Sequence, residues 1–141
     1  MSFLKMIVDL ESTFTVGEET FFDSLSPSSS FGVIFEDDLT TGYFYAIDTN
    51  PTIKTLDALH IYDVKSVVDK DKPCNIQIVW TEDGRFASLL INNYCHAIFD
   101  FENKAGYCRN AFPPCKGDWF ASVNDRKLTD DLITNLFKIT D

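Results

Sequence analysis

Positive charge is scarce in this chain, and scarcest at its start. Lys5 is the one base among the first fifty residues, which also hold Asp9, Glu11, Glu18, Glu19, Asp23, Glu36, Asp37, Asp38 and Asp48; one base against nine acids gives −8 of the formal −10. A field of that sign repels nucleic acid and anionic membrane and favours basic partners. Elsewhere the bases cluster only as Lys70/Lys72 and Arg126-Lys127, too few for the basic face of a nucleic-acid binder. Long apolar runs are also missing, and nothing approaches the roughly 18 residues of a membrane span. Residues 1–10 are interrupted by Lys5 and Asp9 and lack both a basic leader and a small-residue cleavage site. No signal peptide is therefore expected, and a cytoplasmic location follows. The glycine-rich phosphate loops and the G-x-S-x-G elbow are absent, so no nucleotide cofactor or serine hydrolase is implied.

Cysteine is present but not patterned. Cys74, Cys95, Cys108 and Cys115 lie far apart, without the short paired spacing of a structural zinc site. Cys95 and His96 are neighbours on an expected strand, point to opposite faces and so cannot share an ion. No metal and no cofactor is expected. Reduced thiols fit a cytoplasmic chain, although Cys108 and Cys115 flank a proline loop and their pairing stays open. Cys108, beside Arg109, has the best electrostatic case for reactivity, with His60 and His96 as the available imidazoles.

What the chain does have is core-forming material. Its 141 residues are 45% hydrophobic and include thirteen Phe. That length suits one domain, residues 1–141, able to bury about 65–70% of its unfolded surface without disulfide or metal. The pattern is mostly strand: residues 3–8, a less regular stretch over 13–22, then 31–36 and 41–47 about the Asp37-Asp38 turn, and 56–64. Asn75 to Trp80, Arg85 to Ile91 and Tyr94 to Phe101 read as a three-stranded meander turning at Asp83-Gly84 and Asn92-Asn93. Residues 107–109 add another strand. A two-residue turn at Asn92-Asn93 predicts the pairs Ile91–Tyr94, Leu90–Cys95, Leu89–His96 and onward to Arg85–Asp100. One face then carries Phe86, Ser88, Leu90, Cys95, Ala97, Phe99 and Phe101. The other carries Arg85, Ala87, Leu89, Ile91, Tyr94, His96, Ile98 and Asp100, joined by Ile76, Ile78 and Trp80. Both faces are largely apolar, so the sheet is covered on both sides. Thr129 caps a C-terminal helix, with Asp130 and Asp131 in its first turn and Leu128 stapling onto Ile133. Leu132, Ile133, Leu136 and Phe137 form its buried stripe. The expected fold is α+β: mostly antiparallel sheet, sandwich- or barrel-like, of about seven to nine strands, with a C-terminal helix packed on the sheet.

The segment 79–114 carries Trp80, Asp83-Gly84, Leu89-Leu90-Ile91, the run from His96 to Phe101, Gly106-Tyr107-Cys108-Arg109 and Phe112-Pro113-Pro114. In these landmarks it resembles a family of uncharacterised bacterial proteins, the domain of unknown function DUF2251. The resemblance implies a bacterial origin and a small stand-alone protein, assigns no residue a role, and does not reach the acidic first third.

Two candidate sites emerge from the residues themselves. Trp80, Arg85, Tyr94, His96, Asp100, Tyr107 and Arg109 combine carboxylate, imidazole, phenol and guanidinium, with Glu82 beside them, as a ligand pocket or acid–base site. The bland alternative is an Arg85–Asp100 cross-strand ion pair. Glu18, Glu19, Asp23, Glu36, Asp37 and Asp38, interleaved with aromatics, form a candidate face for a basic protein, as in an immunity or inhibitor protein; the plainer reading is aromatics inward and carboxylates outward. The leading function is thus a non-enzymatic, acidic interaction protein. The alternative is a small-molecule-binding domain or enzyme, and a homo-oligomer that buries the second sheet face between copies stays open.

Overall fold

The computed structural model describes residues 2–114, 119 and 125–139. Among these residues nine strands form two antiparallel sheets. One sheet has the order β1 (Met6–Phe14), β6 (Cys74–Thr81), β7 (Phe86–Ile91), β8 (Tyr94–Asp100), β9 (Ala105–Cys108). The other is the sequential meander β2 (Thr20–Leu25), β3 (Phe31–Asp37), β4 (Thr41–Asp48), β5 (Lys54–Asp63). The chain lays down β1, crosses to build the whole second sheet, and returns to pair β6 antiparallel with β1. The expected α+β class holds, as an open sandwich of two sheets rather than a closed barrel.

Alternation explains the packing. Val33, Phe35, Phe44, Ala46 and Leu59 of the meander face Ile76, Ile78, Trp80, Ala87, Leu89 and Phe99 of the five-stranded sheet, all wholly buried. Phe44 stacks on Phe99 with ring centroids 5.1 Å apart, and Phe31 on Phe101 at 4.9 Å, so aromatic pairs bridge the two layers. The five-stranded sheet is covered on its other face too. Helix α1 (Asp130–Phe137) sets Leu132, Ile133, Leu136 and Phe137 against Phe86, Ile98 and Tyr107. The cap is the expected one: Thr129 Oγ1 accepts from the Leu132 amide at 3.1 Å, and Leu128 shares the cluster with Ile133. The second face, with Ile76, Ile78, Trp80, Ala87 and Leu89, is therefore covered by the β2–β5 sheet, and the helix covers the opposite one.

Two expectations need correction. The first strand starts later and runs further than the apolar stretch 3–8. Met6, Ile7 and Val8 lie exposed at the sheet edge, while Leu10, Ser12 and Phe14 turn inward in alternation with Asp9, Glu11 and Thr13. The β7–β8 register is also not the one a plain two-residue turn dictates. Ile91–Tyr94 and Leu90–Cys95 pair as expected, but Leu89 then pairs with Ala97, leaving His96 as the extra residue of a β-bulge. Past the bulge every side chain changes face. Ala97, Phe99 and Phe101 join the inter-sheet core, and Ile98 turns to the helix with Cys95 and Phe86. The polar-looking end of β8 thereby becomes part of the main core.

The layers are also clamped at the β5/β9 edge. The buried Arg126 donates to Asp57 through Nη2, to the Gly106 carbonyl through Nε at 3.2 Å, and to the Pro113 carbonyl through Nη1 at 2.5 Å. Residue 106 must be glycine here, because a Cβ would lie 2.6 Å from Asp57 Oδ2 and 2.7 Å from the Phe99 ring.

Candidate functional site

The structure divides the seven pocket candidates among four places. Trp80 is fully buried between the sheets, stacks on Phe101 and donates its indole N–H to Ser24 Oγ at 2.9 Å. It therefore lines no accessible pocket with the others. Arg85 and Asp100 meet at the far end of β7 and β8. The guanidinium is bidentate on the carboxylate, Nε to Oδ1 and Nη2 to Oδ2, both at 3.0 Å, and Glu102 adds a contact at 2.9 Å. Asp100, 1% exposed, also accepts from the Glu102 and Asn103 amides and from Asn103 Nδ2. These contacts hold the β8–β9 turn and fix the carboxylate on Arg85. Tyr107 packs under the helix.

Tyr94, His96 and Arg109 gather at the other end of the same strands. The Arg109 guanidinium lies 4.3 Å from the Tyr94 ring centroid, donates to the Cys95 carbonyl at 2.9 Å and pairs with Asp130 at 3.0 Å. It ties the start of β8 to the first turn of α1, where an acid also suits the helix dipole. Tyr94 and His96 meet edge to face at 4.9 Å. Burial, and then Arg109, bring the His96 imidazole down to about 4, so it is neutral at physiological pH.

Cys95 and Cys108 sit in packed surroundings. Cys108 is buried and donates to Asn110 Oδ1 and the Phe112 carbonyl, and burial pushes its thiol up. Arg109 turns away from it to Tyr94 and Asp130. Burial likewise pushes the Cys95 thiol up to about 11. Cys115 lies outside the described residues, so its pairing with Cys108 has no structural account. Among the described residues no three His, Cys, Asp or Glu groups converge as a metal site, and no helix is long and apolar enough to cross a membrane.

The six acidic candidates fare differently. Asp37 leaves the set because it is fully buried. It accepts from the Gly17 amide at 2.7 Å, the Leu39 amide at 2.9 Å and the Tyr62 hydroxyl at 2.6 Å, closing two turns at once. Asp38 is exposed and caps the β3–β4 turn through the Thr40 and Thr41 amides, which hold its carboxyl below the usual range. Glu18 and Glu19 are exposed in the β1–β2 turn, Asp23 is exposed on β2, and Glu36 is half-buried on β3.

Sequence reasoning expected aromatics among these acids but did not say which of them face outward. On the outer face of the meander, Phe21, Glu36, Tyr43 and His60 are successive register partners across four strands. Asp23, Ile34, Tyr45 and Ala58 form the next row. Phe21 is 60% exposed, and Tyr43 stacks on Tyr45 at 5.8 Å. At the β5 edge His60 is held between Asp63 and Asn110 and touches Phe112, itself 51% exposed. The helix packs on the other sheet, so no described strand or helix covers this face. Burial and the carboxylates around them raise both phenols: Asp63 and Asp38 act on Tyr43, and Glu36 and Asp38 on Tyr45. The detectable signal was the Phe21-Phe22 pair, since adjacent strand residues cannot both face inward.

Residues 14–137 match the family described as an uncharacterised protein conserved in bacteria, DUF2251. The match takes in the acidic meander as well as the segment 79–114. An uncharacterised protein of Haemophilus influenzae is 45% identical over 84 residues, which are 59% of this chain and 52% of that protein. The matched stretch thus spans about half of the relative's length. No solved structure matches the chain.

Proposed function

This chain belongs to the DUF2251 family of uncharacterised proteins conserved in bacteria, and we propose that it is a non-enzymatic interaction protein whose outer β2–β5 face takes up a basic protein. The observation that carries the reading is the uncovered sheet face itself: Phe21, Tyr43 and Tyr45 are set among Asp23, Glu36, Asp38 and Asp63. A merely solvated face would not present stacked aromatics there. Tyr and Phe are the side chains that anchor interfaces, and Tyr brings large contact area at small entropic cost. Phe21 and the two Tyr rings also offer π faces to Lys or Arg. The carboxylates supply complementary charge, which steers encounter and excludes acidic competitors. An inhibitor or immunity protein presents this kind of face to a basic enzyme. Arg85 and Asp100 lie at the opposite end of the strands from Tyr94, His96 and Arg109, which favours a binding role over an acid–base site made of all five.

The test is comparative capture from a bacterial lysate with the wild type, Tyr43→Ala/Tyr45→Ala and Asp23→Lys/Glu36→Lys. These residues lie outside the buried core, and the variants are expected to keep the wild-type circular dichroism and thermal unfolding. One basic protein retained by the wild type, lost from both variants and released by salt is the expected result. Identical capture by all three proteins refutes the assignment.

A further inference from the structure

We propose that the cleft between loop 67–73 and the β7–β8 turn binds a small carboxylate with an apolar body, its head held by Lys70, Lys72 and His96. The cleft lies at the end of the sandwich away from Asp100 and is separate from the outer β2–β5 face. Its volume is about 480 Å³, within the roughly 300–1,000 Å³ typical of small-molecule sites. Its depth is apolar: Val16, the Tyr62 ring, Val67 and Ile91 form the walls. The Tyr62 hydroxyl is engaged by Asp37 at 2.6 Å, which fixes the ring as a wall rather than a donor.

The polar groups gather on the other side. His96 reaches the cleft because it is the bulged residue of β8, and a bulge re-aims a side chain without breaking the sheet around it. Its neighbours are the Tyr94 ring and the Arg109 charge, and among the described residues no hydrogen bond uses its ring nitrogens. A neutral imidazole in that position has one N–H to give. Asn92 uses its carbonyl oxygen on the Asn75 amide at 3.0 Å, so its NH₂ is available. Lys70 and Lys72 stand on the lining loop with Asp69. Lys72 and Asp69 approach only to 3.9 Å and are both well exposed, so that pair holds the lysine weakly. Two cations against one carboxylate make the lining residues net positive in a protein of charge −10, while Asp71, exposed between the two lysines, is not among them. An anionic head at the loop and a hydrocarbon or aromatic body on the Val16–Ile91 side satisfy both halves.

Titration of the ¹⁵N-labelled full chain with sodium octanoate, followed by amide shifts, tests the site, with octylamine and octanol as matched probes. Saturable shifts at Val67, Asn92 and His96 with octanoate, and weaker ones with octanol, are expected. The Lys70→Glu/Lys72→Glu variant, altered only at exposed loop positions, should bind octanoate about tenfold more weakly or worse. Absence of saturation, an equal response to octylamine, undiminished affinity in the variant, or shifts centred on Phe21 and Tyr43 would each overturn the proposal.

Discussion

His96 makes acid destabilisation of this fold a measurable quantity. Its imidazole titrates near 6.5 when unfolded and near 4 when folded, chiefly because burial disfavours the cation and secondarily because Arg109 repels it. The unfolded chain therefore takes up a proton that the folded chain refuses. Stability is complete above the unfolded value, falls as pH drops through 6.5, and stops falling from this source below about 4. At 1.36 kcal/mol per pKa unit the whole gap is worth about 3 kcal/mol, of which about 2 kcal/mol is lost by pH 5. Asp38, Asp48 and Asp83 also carry lowered values, from backbone and hydroxyl hydrogen bonds, and contribute to acid sensitivity in the same direction. Those contributions are common to the wild type and a His96→Gln variant and cancel in the comparison. Urea unfolding followed by the fluorescence of the buried Trp80, at about pH 7.5 and about pH 5, gives the numbers directly. The wild type should lose roughly 2 kcal/mol more than His96→Gln between the two conditions. Equal losses would mean that His96 titrates as a solvated histidine, and the account of the bulge turning it inward would fail.

Thr129→Ala removes the oxygen that caps α1 and should cost about 1 kcal/mol in urea unfolding, without changing the slope against denaturant. Arg126→Met strands the Asp57 carboxylate and should cost about 3–5 kcal/mol, whereas Asp57→Leu/Arg126→Met should recover much of that loss in thermal unfolding. Asp37→Ala takes the acceptor from three donors and should destabilise by at least about 2–3 kcal/mol. Asp23→Ala, at an exposed position, should stay within about 0.5 kcal/mol of the wild type in the same assay.

The meander about Asn92-Asn93, the capped helix and the doubly covered sheet were legible in the sequence because each has a local signal: turn residues tolerant of positive φ, an N-cap with its staple, and apolar residues on both strand faces. Asn92 and Asn93 do have φ of 52° and 64°. The bulge at His96 was not legible. With both faces of β8 apolar, slipping the register by one residue exchanges one acceptable pattern for another, so hydrophobicity cannot choose between them. Arg85 does not choose either, since its long side chain reaches Asp100 even though Phe86 is the residue opposite. Of the paired acids Asp37-Asp38, strand geometry requires one to point inward, but which one depends on Gly17 and Tyr62, twenty and twenty-five residues away. The same long-range dependence hid the cleft, whose walls come from β5, the loop before β6 and the β7–β8 turn.

The order of strands also sets a timetable for synthesis. Every pairing in the β2–β5 sheet joins consecutive strands, so that sheet can assemble from local hairpins as it leaves the ribosome. β1 is made first yet waits for β6, with Glu11 and Gln77 standing 66 residues apart. Until that partner emerges, the nascent chain holds a finished meander whose inner aromatics have no opposite layer and a lone strand bearing Met6, Ile7 and Val8. The vulnerable interval thus falls in mid-synthesis, closes for β1 with the return of β6, and closes for the meander only when Phe99 and Phe101 follow, still ahead of α1.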